Sequence, residues 1–269
     1  MPLLPDITAF YGGGDEAARL TSGRTIDTLE LVRTQELLRG HLPPAPASIL
    51  DVGGGPGAHA RWLTGDGHRV VVVDPVEHHV RQAHAQGLAA FVGDARQLGH
   101  LPDTSYDAVL LLGPLYHLPD AVGRAQAWQE AARLVRVGGL VAAAALNRYL
   151  KVQDLGADDG LEVAKTGLLV RPNGPTTYYH EPAELQEEAG RAGLSETRVY
   201  GVQGPASAAV KARARHTGSG DLGQEALERA LAAARFADGH PELAVTSLHL
   251  LALARRRPAA CDEASSGRP

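Results

Sequence analysis

The segment Ile49-Leu50-Asp51-Val52-Gly53-Gly54-Gly55-Pro56-Gly57 sets an acid and four glycines directly behind a short apolar run. A glycine-dense turn lets backbone come within contact distance of a flat, polar ligand, because a Cβ there would collide with it. If a helix follows, its unsatisfied N–H groups face the same ligand. Two more acids end apolar runs downstream, Asp74 after the valines 70–73 and Asp94 after Ala89–Val92. A further run leads into Leu112-Gly113-Pro114-Leu115-Tyr116-His117-Leu118, with a phenol beside an imidazole. The chemistry this offers is cofactor binding by the loop and the acids. Proton transfer would fall to His117, whose ordinary pKa of ~6.5 lies near neutral.

Two cofactor classes compete for such a loop. Gly53, Gly55 and Ala58, with Asp74 about twenty residues on, pass the loose dinucleotide fingerprint. Against it stands Asp51, inside the turn before the first glycine. An anion there repels a pyrophosphate but can hold a positively charged amino-acid moiety. Asp94 adds an acceptor where an adenine amino group could lie.

These residues need strands to aim them. The runs at 48–52, 69–73, 89–92, 107–112 and 140–146 are apolar without alternation and are separated by helical stretches, the pattern of a parallel sheet covered on both faces. In such sheets ligands lie beyond the carboxyl ends of the strands, where the glycine loop, Asp74, Asp94 and His117 all fall. Helices are expected at 27–39, ended by Gly40, at 120–135, from Pro182 to Ala192, and at 224–236. Late strands are expected at 198–202 and 245–254. Between 147 and 180 Gly, Asp and Pro recur without a period, as in a lid or one wall of an acceptor pocket.

Taken together, the chain resembles the class I S-adenosylmethionine-dependent methyltransferases. Asp51 to Gly57 looks like that family's D-x-G-x-G-x-G motif. Asp74 matches the acid that holds the ribose hydroxyls, and Asp94-Ala95 the adenine-binding pair. Leu112 to Leu118 is similar to the G-P-L-Y-H-L motif of a small-molecule subgroup. Arg136 to Leu140 matches the turn before the fifth strand, and the 33–36 helix an N-terminal cap. The resemblance implies a Rossmann-like, doubly wound α/β fold with a mostly parallel seven-stranded sheet. It implies a helical cap over 1–43, a methyltransferase domain over 44–257 with an insert near 147–180, and a disordered tail from 258. S-Adenosylmethionine would be held by Asp51, Gly53, Gly54, Gly55, Gly57, Asp74, Pro75, Asp94, Ala95, Leu112 and Gly113, with Arg33 and Tyr11 from the cap. Arg33 could instead pair with Glu30 on the helix surface. Tyr116 and His117 would be catalytic, and together with Tyr178, Tyr179 and His180 would bind the acceptor. The alternatives are a nicotinamide-dependent oxidoreductase and a regulator that binds the cofactor without catalysis.

Composition narrows the acceptor. The 269 residues are 44% hydrophobic and 21% charged, ordinary for a globular protein, and the net charge of −5 argues against a nucleic-acid partner. The lone cysteine, Cys261, leaves no disulfide, no cysteine-rich metal site and no catalytic thiol in the body of the chain. No metal site is expected; His78, His79, His84 and His100 read as solvated. No signal peptide or spanning segment is seen, so a cytoplasmic protein, monomeric or homodimeric and off the membrane, is expected. A small metabolite, methylated at O, N or C, is the acceptor class that remains.

Overall fold

The computed structural model describes residues 22–153, 160–171 and 174–258. Tyr11 and nearly all of the 258–269 tail, for both of which the sequence carried expectations, lie outside the described residues.

Strands and helices alternate through the first half: α1 Thr25–Arg39, β1 Ser48–Val52, α2 Ala58–Gly65, β2 Arg69–Asp74, α3 Glu77–Ala85, β3 Ala89–Val92 and β4 Tyr106–Leu111. A 3₁₀ turn at Leu115–His117 leads to α4 Ala121–Leu134 and the long β5 Val135–Asn147. Then come α5 Leu150–Gln153, α6 Gly160–Thr166, β6 Leu168–Leu169, β7 Thr177–His180, α7 Pro182–Arg191 and β8 Leu194–Gly201. The chain closes with α8 Ser207–Thr217, α9 Gln224–Ala237, a 3₁₀ stretch at Pro241–Thr246 and β9 His249–Arg256.

The sheet is mostly parallel and doubly wound, with nine strands in place of the expected seven. Seven of them form the continuous order β3-β2-β1-β4-β5-β9-β8, with β9 antiparallel to both neighbours. The two extra strands come from the insert. Leu146 of β5 pairs with His249 of β9 on one edge and with Tyr179 of β7 on the other. β7 therefore continues the edge that β4 leaves after Leu111↔Ala143, and β6 pairs onto it. Part of the segment that looked irregular is thus a hairpin docked beside the 3₁₀ turn.

Side-chain alternation explains why the strands read as unbroken apolar runs. Leu50, Val52, Val109 and Leu111 join the core on one face, around Trp128 of α4. Ile49, Val70, Val72 and Leu110 join the core on the other, with Leu63 of α2 and Leu251 of β9. Both faces are covered, so no polar face is needed. The cap helix α1 does not stand apart: Leu29 packs with Val210 of α8 and Ala230 and Leu231 of α9. α4 begins one residue after Asp120, whose carboxylate accepts the Gly123 N–H at 2.7 Å, an N-cap. β5 starts earlier than its apolar run and includes 136–140, which the sequence placed in a turn; between Val135 and Leu140 it bulges by three residues against Tyr106 and Ala108 of β4, at the stretch that holds Gly138 and Gly139.

Candidate active site

β1 ends inside the sheet and hands the chain to the loop Gly53–Gly57, whose positive φ values at Gly53, Gly55 and Gly57 (70°, 57° and 91°) are open to glycine at little cost. The four glycines serve different purposes. A Cβ on Gly53 would lie 2.7 Å from Pro114 Cγ, one on Gly54 2.6 Å from Asp51 Oδ2, and one on Gly57 2.3 Å from Leu88 Cδ1. Those three let the loop sink against its neighbours. At Gly55 the added carbon would meet nothing nearer than His79 Nδ1, at 3.9 Å, so it would project into open space.

That space is a cleft of about 680 Å³ at the carboxyl ends of β1 to β4. Gly53, Gly55, Asp74, Pro75, Asp94 and Ala95 line it together with Gly113, Tyr116 and His117. The glycine loop, the two strand-end acids and the fourth-strand motif, far apart in sequence, thus meet around one cavity.

The acids are not equivalent. Asp74 Oδ2 accepts the Gly55 N–H at 2.8 Å, while Oδ1 accepts the Val76 N–H at 2.9 Å and lies 3.0 Å from His79 Nδ1. It therefore holds the glycine loop as well as facing the cleft. Asp94 is paired with Arg96, Nη2 to Oδ2 at 2.6 Å, and also accepts the Arg96 N–H. Asp51 is fully buried beneath the loop and does not line the cleft; neither of its carboxylate oxygens has a hydrogen-bond partner. Burial, reinforced by the Asp74 charge, pushes its pKa up to about 7.

His117 departs from the sequence expectation in its basicity. Burial first, then the charge of Arg171, lower its pKa to about 4, against a smaller opposing pull from Asp74. The imidazole is neutral at neutral pH and so keeps a lone pair, but it is a weaker base than an exposed histidine. The turn that carries it is anchored from behind. Arg124 of α4 donates to the carbonyls of Leu118 and Pro119 at 3.1 and 3.0 Å, and its Nε donates to Glu188 Oε1 at 2.8 Å.

Other expected site residues sit elsewhere. Tyr178, Tyr179 and His180 line neither this cleft nor the smaller pocket beside it. All four residues of β7 are buried, because the strand is paired between β5 and β6 and its side chains meet α4, α6 and α7. Tyr178 lies under Arg124, 3.6 Å from guanidinium carbon to ring centroid, and bonds Glu184. Tyr179 packs with Val163 and Leu169, and His180 Nε2 lies 3.3 Å from Glu188. Arg33 reaches neither the cleft nor Glu30. It is 2% exposed and binds Asp238 with Nη2, at 2.6 and 2.7 Å, and Glu36 with Nη1. It ties α1 to the end of α9. Leu112 lines the smaller pocket, not the main cleft.

The sequence reading missed His79. Three of the four histidines expected to be solvated, His78, His84 and His100, are exposed; His79 is 3% exposed, lines the cleft and bonds Asp74. Its placement in the first turn of α3, five residues after the strand-end acid, was the available signal.

Among the described residues no group of His, Cys, Asp and Glu could hold a metal ion, and no helix is long and apolar enough to cross a membrane.

Comparison with known proteins places the cleft-bearing part of the chain beside methyltransferases. Residues 50–143, which run from β1 into β5 and carry the whole cleft, match the family model described as "Methyltransferase domain". A ubiquinone biosynthesis O-methyltransferase of Methylocella silvestris is 34% identical over 135 residues, 44% of this chain and 48% of that protein. The 27-O-demethylrifamycin SV methyltransferase of Amycolatopsis mediterranei is 33% identical over 138 residues, 48% of this chain and 47% of its own. The chain thus spans about half the length of the curated relatives it matches. Among solved structures, a Thermotoga maritima protein described as a possible histamine N-methyltransferase superposes with a TM-score of 0.59 at 17% identity, over 93% of this chain and 98% of that one, which shows the fold. The dinucleotide alternative is not favoured by these matches. Residues 50–143 thus resemble a methyltransferase domain, and the fold over most of the chain is that of the solved methyltransferase structure.

Proposed function

We propose that the protein transfers a methyl group from S-adenosylmethionine to an O, N or C atom of a small molecule, with the donor in the glycine-loop cleft and the acceptor arriving on the Tyr116–His117 side. One observation carries the reading: the only loop glycine whose missing Cβ opens into free space, Gly55, lines the same cleft as Asp74, Asp94, Tyr116 and His117.

The residues present fit that cofactor. Gly55 leaves room for a ligand against the loop backbone. Asp74 would hold the ribose hydroxyls, and Asp94 with Ala95 the adenine. Asp51 is an unsatisfied buried carboxylate whose ionised form a nearby positive group would favour. When bound, the cofactor supplies an electrophilic methyl group on a positively charged sulfur.

The chain's own work is then binding, alignment and exclusion of water. The Gly53–Pro114 contact keeps the loop and the fourth-strand turn in register. Tyr116 and His117 face the cleft from that turn. The neutral His117 can accept a proton or a hydrogen bond from an acceptor hydroxyl or amine, while Arg124 holds the backbone that follows it. Tyr178 and His180, packed around Arg124 and Glu188, support the turn from behind.

Incubating the protein with a metabolite extract and methyl-labelled S-adenosylmethionine tests the proposal. Label should appear in a small organic product. S-Adenosylhomocysteine binding without transfer to any extract would point to a regulator that binds the cofactor without catalysis.

A further inference from the structure

We infer that Arg171, on the hairpin beside the Tyr116–His117 turn, recognises the methyl acceptor, and that the acceptor is a small organic acid. The guanidinium takes its carboxylate, while an O, N or C atom elsewhere on the molecule receives the methyl group. The inference deepens the methyl-transfer reading above and rests on it.

Strand register places Arg171. Leu111, the last residue of β4, pairs with Ala143 of β5. On the same edge of β5, Leu146 pairs with Tyr179 of β7. Thr177, two residues before Tyr179, therefore stands just beyond the end of β4, where the chain leaves the sheet for the turn that carries His117. β7 packs against that turn. Arg171 follows the end of β6 by two residues, and its Nη1 donates to Thr177 Oγ1 at 3.2 Å. Thr177 is buried, so the bond tethers the arginine at the foot of the turn.

The neighbouring arginines are neutralised within the fold. Arg124 and Arg148 both contact Tyr178, next to Thr177. Arg124 holds Glu188 at 2.8 Å, and Arg148 holds Glu181 and Glu184 at 2.9 and 2.6 Å. Among the described residues Arg171 has no carboxylate partner; it bonds the uncharged Thr177 hydroxyl, and the residue is exposed. It does not line the glycine-loop cleft, so it is placed to serve the acceptor and not the donor.

Its charge nevertheless reaches the site. Two charged groups act on the buried His117 imidazole, Arg171 and, more weakly and in the opposite sense, Asp74. A guanidinium without a counter-ion at the border of a site attracts anions and can bind a carboxylate through two parallel N–H···O bonds. A carboxylate seated there offsets the cation, so the imidazole becomes a better proton acceptor once the acceptor is in place.

The test uses the full chain, methyl-labelled S-adenosylmethionine and a metabolite extract, with mass spectrometry of the labelled product. The product should form an ethyl ester in acidic ethanol and keep its label, which marks a carboxyl group that is not itself methylated. Arg171→Gln should raise the half-saturating amount of extract about tenfold, the loss expected of a hydrogen bond to a charged group, and should lower the maximal rate less. Arg171→Lys should recover part of the loss. Both variants should bind S-adenosylhomocysteine as the wild type does, which shows that they fold. A product that resists esterification, a label lost in acidic ethanol, or an unchanged half-saturating amount in Arg171→Gln would overturn the inference. A loss confined to the maximal rate would also overturn it, because Arg171 would then act on His117 alone. So would weakened S-adenosylhomocysteine binding in Arg171→Gln, which would place the arginine on the donor. A wild type that binds S-adenosylhomocysteine but labels no product would instead bring down the methyl-transfer reading.

Discussion

Asp51 and Asp74 lie near the ends of adjacent parallel strands, both buried, yet Asp74 is fully engaged with Gly55, Val76 and His79 while Asp51 has no hydrogen-bond partner at all. An unsatisfied carboxylate in that position costs stability in the ligand-free protein. On the proposed function, the positive charge of the bound cofactor would offset that cost.

The first prediction concerns that cost. In the native protein Asp51 keeps its proton up to about pH 7, whereas in the unfolded chain a carboxyl loses it near ~4. Between those values the native state binds more protons, so this group's contribution falls as pH rises through the window. Asp51→Asn should therefore raise the Tm of the ligand-free protein at pH 8, by the equivalent of on the order of 1–3 kcal/mol, and do little at pH 4. Affinity for S-adenosylhomocysteine should fall. Melting curves at the two pH values check the first part; an equal shift at both would show that Asp51 is not ionised in the native protein at pH 8.

His117 gives the opposite slope. Its native pKa of about 4 lies below the unfolded value of ~6.5, so between them the unfolded chain binds more protons and stability rises with pH. The two slopes oppose one another in the wild type. His117→Phe should leave a protein whose stability declines more steeply from pH 4 to pH 7 than the parent's. A variant with the parent's pH–stability curve would place the His117 titration elsewhere.

The same residue sets a kinetic expectation. Because His117 stays neutral down to about pH 4, kcat/KM should show no acid limb near 6.5 from this group. If it accepts the acceptor's proton, His117→Ala should lower kcat roughly a hundredfold, with partial rescue at high pH. A loss below about threefold would mean that alignment alone carries the reaction.

The loop glycines separate cofactor binding from folding. Gly55→Ala should abolish most S-adenosylhomocysteine binding while costing only about 1 kcal/mol of stability, from a positive φ. Gly53→Ala should destabilise more, because its Cβ would meet the ring of Pro114. Calorimetry with melting curves on both variants reads the two effects; Gly55→Ala binding at wild-type strength would show that the loop does not face the ligand.

The sequence carried most of this site because its signals are local. Glycines that must approach a neighbour, acids at strand ends and apolar runs buried on both faces are written in consecutive residues, and the 50–143 region folds as they suggest. What escaped depends on partners distant in the chain. Arg33 read as a cofactor-binding residue, or as a helix-surface partner of Glu30, until α9 brought Asp238 to it across about two hundred positions. Tyr178, Tyr179 and His180 have the residue types of a site, but the short strand that carries them is paired between β5 and β6 and buries all of them. Helix α8, Ser207–Thr217, was passed over because its alanines and arginines form only a narrow apolar stripe, which α1 and α9 complete. His79 was read as solvated with its neighbours in α3, although its place five residues after the strand-end acid lets the first turn of that helix bring it back onto Asp74.

The central claim is that the glycine-loop cleft binds S-adenosylmethionine. Isothermal titration of the full chain with S-adenosylhomocysteine, beside a titration with NAD, tests it most directly. The account predicts saturable one-site binding of S-adenosylhomocysteine that weakens at least about tenfold in Asp74→Ala, whose lost hydrogen bonds involve a charged group, and no heat from NAD. Binding of NAD in place of S-adenosylhomocysteine, or S-adenosylhomocysteine affinity unchanged in a folded Asp74→Ala variant, would contradict it.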